Sequence, residues 1–297
     1  MLPAISTLVF LPHRLTPAHL DALAASGAQA IELFAARHHF DYSSRTHMRE
    51  LAQWFRSNPT QPLLHAPLSS EPAFSRHAEP DIDLLDREKS RRILAMEELK
   101  RALESAEYIP AATCVLHLGH NLTGVPWSEH TLDLALTAVE HLKAFAAPLG
   151  VRLLLENLPN PIATPEHLLD ILRIGHFDTT GICLDVAHLH LAGAHLPDPD
   201  QAAIFELLRP HIAELHLSDN DTRSNTHLWP ASGTERPESL ACGTIDWPAL
   251  YALAATLPVN TPGVLEIADT QAPEPAFATR LAREVFSHQT RLLEPAS

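Results

Sequence analysis

The stretch GICLDVAH, residues 181–188, decides the fold. Its apolar run has the length of a strand and ends on Asp185, and His188 follows three residues later. Short, nearly continuous hydrophobic runs are typical of parallel strands whose sheet is covered by helices on both faces. A carboxylate at the end of such a strand needs a partner, because an unpaired buried charge is costly. A bound metal ion would be such a partner, and its other ligands would lie at the ends of other strands.

Short apolar runs alternate with longer amphipathic segments along the whole chain. The apolar runs predict eight strands, at residues 5–10, 29–34, 62–66, 113–117, 151–156, 181–185, 213–217 and 263–267. Between and after them, helices are predicted from Thr16, at residues 47–57, 83–107 and 128–147, from Thr164, and at residues 199–208, 246–256 and 274–293. The helix over residues 83–107 has a predicted apolar face of Leu84, Leu85, Ile93, Leu94, Met96, Leu99 and Leu103.

Eight strands alternating with eight helices predict an α/β fold, a single (β/α)8 TIM barrel with its active site at the C-terminal ends of the strands. We expect residues 1–297 to form one domain, since barrels of roughly 250 residues are single domains. A doubly wound open sheet is the structural rival. It is disfavoured because no glycine-rich phosphate-binding turn follows an early strand.

The composition restricts partners and location. The chain has 297 residues and a formal net charge of -15, so it has no general attraction for phosphate backbones, and a nucleic-acid partner is disfavoured. Cys114, Cys183 and Cys242 are widely spaced and odd in number, which indicates reduced thiols and a cytoplasmic protein. The apolar run near residue 1 ends at Pro12 and is too short for a membrane span. We therefore expect no membrane partner.

Six of the eight predicted strands carry a histidine or a carboxylate at or near their carboxyl ends. Alone, each such residue is more often structural than functional, but barrel closure would bring all six to one mouth. Three carboxylates there would repel one another strongly without a cation. Mixed histidine and carboxylate ligands suit Zn, Mn, Co or Fe better than Mg. These strand-end residues are His65, His117, Glu156, Asp185, His216 and Glu266.

Five short motifs carry a resemblance to a known family. They are LEN at 155–157, LDVAH at 184–188, HLSD at 216–219, GTIDW at 243–247 and LE at 265–266. With them, nearly the whole chain resembles the xylose-isomerase-like TIM-barrel superfamily. That superfamily holds sugar phosphate isomerases and epimerases, and also the endonuclease-IV-type apurinic (AP) endonucleases of AP endonuclease family 2. The resemblance implies that a central divalent metal ion is shared by Glu156, Asp185, His216 and Glu266.

The epimerase branch of this superfamily supplies the leading functional expectation. The resemblance implies one metal ion and a small carbohydrate substrate, which is a sugar, sugar phosphate or related polyol. Proton transfer through an enediolate would use Glu156 and Glu266 as the acid/base pair. Substrate-binding residues would be His188, Arg223, His65 and His117. A homo-oligomer is a further expectation by analogy with such isomerases.

The endonuclease branch is the alternative, with a two- or three-metal phosphodiesterase site. His65, His117, His188 and His227 match its additional metal ligands, but Asn225 stands where that branch has an aspartate. The segment at 241–243, with Cys242, also departs from it. The loop after the second strand, residues 37–42, fits a DNA-penetrating wedge and a substrate-covering lid equally well. The epimerase pattern is itself incomplete, because no further glutamate follows Glu156 and Ile162 lies in that region. A third reading is a lyase or dehydratase acting on keto-inositols or oxidised glycosides.

Overall fold

Eight parallel strands form a closed barrel in the order of the sequence. A computed structural model describes residues 1–71, 80–120, 124–193, 201–230, 243–268 and 274–293. Each strand pairs in parallel with the next, and the last pairs with the first, which confirms the predicted TIM barrel. The strands are β1 (Leu2–Ser6), β2 (Ala30–Phe34), β3 (Gln61–His65), β4 (Thr113–Leu116), β5 (Arg152–Glu156), β6 (Gly181–Asp185), β7 (Ile212–Leu217) and β8 (Pro262–Leu265).

Nine α-helices lie around the strands in the described part of the chain. They are α1 (Pro17–Ala25), α2 (Arg45–Ser57), α3 (Lys89–Leu103), α4 (Glu129–Ala146), α5 (Pro165–Ile174), α6 (Val186–Gly193), α7 (Gln201–Leu208), α8 (Trp247–Ala254) and α9 (Pro275–Leu293). Side chains of Ser44, Ser128, Thr164 and Asp246 accept a backbone N–H at the starts of α2, α4, α5 and α8. None of the described helices combines the length and the hydropathy that a membrane span requires.

One helix, α6, was not predicted. It begins directly after β6 and contains His188, whereas the sequence predicts the next helix only from residue 199. The backbone N–H of His188 donates to Asp185 Oδ1 at 2.7 Å, so the strand-end carboxylate also starts this helix. The predicted start of α7 at residue 199 lies outside the described residues.

The predicted first strand, residues 5–10, is wrong at both ends. The strand is Leu2–Ser6, and Thr7–Phe10 form a 3-10 helix. The Ser6 hydroxyl accepts the backbone N–H of Leu8 at 3.3 Å and so ends the strand. The apolar sequence predicts a strand over residues 7–10 because these residues are buried, but they are buried as a 3-10 helix outside the sheet.

The predicted helix over residues 83–107 is shorter than expected. It begins at Lys89, and Glu104–Glu107 continue it as a 3-10 helix. Of its predicted apolar face, Leu84 and Leu85 are buried but precede the helix, whereas Ile93 and Leu94 are 51% and 69% exposed. Glu98 is buried in their place, because it pairs with arginines rather than contacting solvent.

The interior of the barrel changes from apolar to polar towards its mouth. Two clusters, separate from the main core, hold Ala4, Ala30, Leu63, Val264, Val115, Leu154 and Cys183. Successive side chains of a strand point to opposite faces, so residues two apart share a face. Leu63, Val115, Leu154, Cys183 and Val264 therefore share the interior face with His65, His117, Glu156, Asp185 and Glu266, one layer nearer the mouth. The histidines and carboxylates at the mouth thus lie above a mainly apolar layer, which also contains the buried carboxylates of Glu32 and Glu214.

Candidate metal and active site

The ends of four neighbouring strands bring together the four residues predicted to share a metal ion. Glu156 and Asp185 end β5 and β6, His216 lies in β7, and Glu266 directly follows β8. One possible ligand atom from each lies within 4.8 Å of those of the other three. All four side chains are buried. Three carboxylates and one imidazole are therefore concentrated in a space that excludes water.

Each of these four residues has one buried polar atom that makes no hydrogen bond within the described part of the chain. The atoms are Glu156 Oε1, Asp185 Oδ2, His216 Nδ1 and Glu266 Oε2. Short nitrogen-to-oxygen contacts surround them, but none has hydrogen-bond geometry at these atoms. Unsatisfied buried acceptors are costly, and a cation among them would satisfy all four. The residues therefore fit a divalent metal, and the mixed oxygen and nitrogen donors suit Zn, Mn, Co or Fe.

Asn157, the residue after Glu156, links β5 to β6. Its side-chain amide donates to the backbone oxygen of Asp185 at 3.0 Å, and its side-chain oxygen accepts the Asp185 N–H at 2.8 Å. Asn157 also accepts from His188 Nδ1 through its backbone oxygen, at 3.0 Å. The LEN and LDVAH motifs are thus one hydrogen-bonded unit, which sets the orientation of Asp185.

His65 and His117 both contact the same oxygen of Glu156. The distance to Glu156 Oε2 is 2.9 Å from His117 Nε2 and 3.3 Å from His65 Nε2. His65 Nδ1 lies 2.7 Å from the backbone oxygen of Ala66, an acceptor to which it must donate. A neutral His65 would therefore direct a lone pair at the carboxylate, so this contact requires a proton or a cation at Nε2. The structure places both predicted histidines at the site.

His188 and His227 form a second group with Asp185. Their rings are perpendicular, with centroids 5.2 Å apart, and one ligand atom from each of the three residues lies within 4.8 Å of the others. His188 donates from Nδ1 to Asn157, so in the neutral ring Nε2 is an acceptor, and it makes no hydrogen bond to the described residues. His227 Nδ1 lies 3.0 Å from Glu266 Oε2. Both histidines line the cavity at the mouth.

Other residues singled out from the sequence lie elsewhere. The side chain of Arg223 is exposed and is not among the described residues that line the cavity. Asn225 is exposed and does line it. Ile162 is buried in the main core. Cys114 and Cys183 are free and buried, as expected for reduced thiols, while Cys242 lies outside the described residues.

Protonation in the site depends on competition between burial and neighbouring charge. Burial raises the pKa of Asp185. Burial also acts to raise the pKa of Glu156, but the charges of His117 and His216 outweigh it and hold that pKa well below the usual range. For His188, burial acts to lower the pKa, and the surrounding carboxylates, Asp185 first, raise it to about 9. The metal-free site thus holds protons in the place of a cation.

A cavity of about 420 Å³ lies above these residues. One part of its wall is polar, with His117, His120, Glu156, His188, Asn160, Asn225, His227 and Glu266. The other part is apolar, with Leu8, Leu11, Phe34, Leu68, Pro80, Leu158, Pro159 and Ala268. No lysine or arginine occurs among the described lining residues. This volume suits a small molecule, since ligand pockets span roughly 300–1,000 Å³.

Three residues at the site have no role in the sequence analysis. His120 lines the cavity with a buried, unpartnered Nε2. Glu32 and Glu214 lie inside the barrel, fully buried, beside His216. A carboxylate within the apolar run of β2, and one two residues before His216 in β7, are the signals that identify Glu32 and Glu214. His120 has no comparable signal among the twenty histidines of the chain.

The loop after β2 is packed into the protein rather than exposed. Phe40 and Tyr42 are 0% and 2% exposed. Arg37 donates to Glu98 Oε1 of α3 at 2.9 Å, and the Tyr42 hydroxyl donates to the same carboxylate. These side chains are committed to internal contacts, so the aromatic residues are not presented to a partner as a wedge would be.

The HLSD and GTIDW motifs contact each other through Asp219. Its carboxylate accepts the indole N–H of Trp247 at 3.1 Å and the backbone N–H groups of Asn220 at 2.9 Å and Ile245 at 3.2 Å. A Cβ atom at position 243 would collide with this carboxylate, so Gly243 is required. The pair of motifs is structural and positions the segment that carries His227.

Comparison with known proteins identifies the family. The model of the xylose isomerase-like TIM barrel family matches residues 20–287. The chain belongs to this family. An uncharacterized protein of Methanocaldococcus jannaschii is 26% identical over 236 residues, which are 75% of this chain and 72% of that protein.

Solved structures share the fold of this family member at low sequence identity. D-psicose 3-epimerase from Clostridium cellulolyticum, solved with D-tagatose, has a TM-score of 0.73 and 14% identity, over 99% of this chain and 100% of that chain. A Thermus thermophilus protein, soaked with ZnCl2, has a TM-score of 0.63 and 23% identity, over 96% and 97% of the two chains. At such identities the likeness concerns the fold.

Proposed function

We propose that this protein is a divalent-metal-dependent isomerase or epimerase of a sugar or related polyol. The observation that carries the proposal is the set of four buried, unpartnered atoms of Glu156, Asp185, His216 and Glu266 beneath a cavity of small-molecule size. The similarity in fold to D-psicose 3-epimerase supports the reaction class. We further propose that residues 1–297 form a single domain, which carries the whole active site.

Glu156 and Glu266 are the proposed proton-transfer pair. Both carboxylates line the cavity, and both contact His65 and His216 from different strands of the barrel. One carboxylate removes a proton from the carbon beside the substrate carbonyl. The other returns a proton to that carbon in an epimerase. In an isomerase the proton goes to the former carbonyl carbon, and the proton of the neighbouring hydroxyl passes to the former carbonyl oxygen. A divalent ion held by Glu156, Asp185, His216 and Glu266 would polarise the substrate oxygens and so make that proton more acidic.

His188 is the proposed substrate contact. Its Nδ1–H is held by Asn157, so Nε2 is the nitrogen free to contact substrate: it accepts from a hydroxyl when the ring is neutral and donates to a hydroxyl oxygen when the ring is protonated. His65 and His117 both contact the carboxylate of Glu156, and of the two only His117 is among the described residues that line the cavity. Arg223 is exposed and is not among the described residues lining the cavity, so we assign it no substrate contact.

A phosphodiesterase with two or three metal ions remains the second candidate. The grouping of His65 and His117 on Glu156, and of His188 and His227 on Asp185, favours it because these groups can hold further ions. Three observations favour the isomerase instead: Asn225 lacks the charge of an aspartate, the aromatic residues Phe40 and Tyr42 are buried, and the net charge is -15. A polyanionic DNA substrate would be repelled by that charge.

Metal content and proton exchange test the proposal together. We expect purified protein to bind one Zn, Mn, Co or Fe ion per chain tightly. It should also catalyse deuterium incorporation from D2O into a ketose such as D-psicose or D-tagatose. Glu156→Gln and Glu266→Gln should each lower the rate by roughly 10²–10⁴-fold, since general acid–base catalysis contributes about that much. Glu140→Gln, at an exposed position of α4, is the matched control and should keep full activity.

Metal content and nuclease activity, measured on the same purified protein, distinguish the two candidate functions. Two or three tightly bound ions, together with chelator-sensitive cleavage of a duplex containing an abasic site, would replace the isomerase proposal with the phosphodiesterase. Absence of deuterium exchange from a panel of ketoses in the metal-loaded protein would also count against it.

A further inference from the structure

His216 faces two different environments with its two ring nitrogens. Nδ1 lies 3.4 Å from Glu266 Oε2 and 3.6 Å from Glu156 Oε2, on the side of the proposed metal. Nε2 points deeper into the barrel and lies 3.1 Å from Glu32 Oε2. Glu32 is in β2, and β2 and β7 are separated by β8 and β1 in the closed barrel, so this contact crosses the barrel interior.

The contact with Glu32 selects one form of the imidazole. A carboxylate beside Nε2 must accept a hydrogen bond, so Nε2 carries a proton. The neutral ring then has its lone pair on Nδ1, which is the atom facing Glu156 and Glu266. Without Glu32, the ring could flip or carry its proton on Nδ1, and either change would remove the nitrogen lone pair from the metal side.

A second carboxylate, that of Glu214, lies close to His216 Nε2 but accepts its hydrogen bond from another residue, Thr113. Its Oε2 accepts the Thr113 hydroxyl at 2.9 Å, while its Oε1 is 3.6 Å from His216 Nε2. At that distance the contact with His216 is electrostatic rather than a hydrogen bond. Glu32 and Glu214 are both 0% exposed, so the two carboxylates are matched in burial and differ in their geometry to His216.

We propose that Glu32 is a positioning residue that holds His216 with Nε2 protonated and Nδ1 directed at the metal. The inference rests on the proposed function only for the presence of the metal, and not for the reaction. Glu32 binds neither substrate nor metal; it acts through His216, and it makes the barrel interior part of the metal site.

Metal affinity is the first test. Zinc affinity, measured by competition with a chromophoric chelator, should fall about 10–100-fold in Glu32→Leu, the range typical for partners of metal ligands. Glu32→Gln should recover part of that loss, because its side-chain oxygen can accept the same hydrogen bond. Glu214→Gln should have a smaller effect than Glu32→Leu, and Glu140→Gln should have none.

The protonation state of His216 is the second test and uses the zinc-loaded wild-type protein. A ¹⁵N-correlated NMR spectrum of the histidine side chains should show a protected Nε2–H for His216 and no Nδ1–H. This measurement does not depend on a variant that folds. A proton on Nδ1, or an unchanged zinc affinity in both Glu32 variants, would overturn the proposal.

A purely structural role for Glu32 predicts a different result. In that case the melting temperature of the metal-free Glu32 variants would fall while the zinc affinity of the folded fraction stayed the same. If the variants lose zinc affinity but the wild-type protein shows no proton exchange on ketoses, the positioning role of Glu32 stands and only the isomerase proposal fails.

Discussion

Nδ1 of His216 lies 3.4 Å from Oε2 of Glu266, and neither atom makes a hydrogen bond within the described residues. With Nε2 protonated towards Glu32, a neutral His216 and an ionised Glu266 would direct two lone pairs at each other. Such a contact is unfavourable in a buried site unless a proton or a metal ion lies between the atoms. The energetic cost of this arrangement is the physical reason to expect tight metal binding.

Metal binding should stabilise the protein, and this stabilisation should depend on the carboxylate of Asp185. We expect saturating zinc or manganese to raise the melting temperature of the wild-type protein, with about 2.7 kcal/mol gained at a metal concentration 100 times Kd. In Asp185→Asn this increase should largely disappear. The metal-free variant should be at least as stable as the metal-free wild type, because burial of Asp185 disfavours its charged form. Differential scanning calorimetry with and without metal measures both effects.

The matched control is Asp133→Asn, at an exposed position of α4, which should keep the full metal-induced increase. A normal increase in Asp185→Asn would show that the metal binds without this carboxylate.

Replacing His188 should affect substrate binding more than metal binding. Its Nε2 is buried, unpartnered and at the cavity wall, so His188→Phe removes one substrate hydrogen bond while keeping an aromatic ring. We expect KM to rise roughly 3–10-fold, since one hydrogen bond contributes about 0.5–1.5 kcal/mol. Steady-state kinetics and the metal content per chain are the measurements. A variant that instead loses an ion while KM stays constant would mean that His188 is a metal ligand.

The buried His39 should make the protein less stable in acid. Burial, together with the charges of His38, His19 and His47, lowers the pKa of His39 to about 3, against the opposing hydrogen bond to the backbone oxygen of His13. An unfolded histidine has a pKa of about 6.5, so unfolding takes up a proton between these two pH values. The stability that His39 contributes is therefore present above pH 6.5 and is lost as the pH falls towards 3, by up to about 5 kcal/mol in total.

Urea unfolding at several pH values checks this expectation. Within the window, one proton corresponds to about 1.4 kcal/mol in the free energy of unfolding for each pH unit. His39→Gln should reduce the slope by that amount, whereas His130→Gln, at an exposed position of α4, should not. An identical slope in the His39 variant would exclude this residue as the source.

Glu98 and its neighbour Glu97 should differ sharply in their contribution to stability. The side chain of Glu98 is 4% exposed and binds Arg37, Arg101 and Tyr42, whereas that of Glu97 is 53% exposed and contacts only Lys100 among the ion pairs of the described residues. Glu98→Ala leaves those donors unpaired and should cost about 1–3 kcal/mol. Glu97→Ala should cost less than about 1 kcal/mol, as for exposed ion pairs. Chemical denaturation of the two variants, in the same buffer, compares them directly; equal losses would contradict the anchoring role of Glu98.

The sequence predicts the position of a site residue where that position follows from a single strand. Asp185 and Glu156 follow apolar runs, so their place at the mouth was predictable from the run and the barrel alone. The contact of Glu32 with His216 was not predictable, because the two residues are 184 positions apart and meet only when β2 and β7 face each other across the closed barrel. Local hydrophobicity also failed at Ile93 and Leu94, since nothing in the sequence shows that Glu98 is the residue that α3 buries.

Below the site, the interior of the described barrel is filled by buried and mainly apolar side chains. Ala4, Ala30, Leu63 and Val264 close the interior below the carboxylates, and hydrated cations do not cross such a layer. Exchange of an ion with the medium should therefore pass through the cavity that we propose as the substrate site. A bound substrate would then block release of the ion. Chelators should therefore remove the ion more slowly from the substrate-saturated protein than from the substrate-free protein.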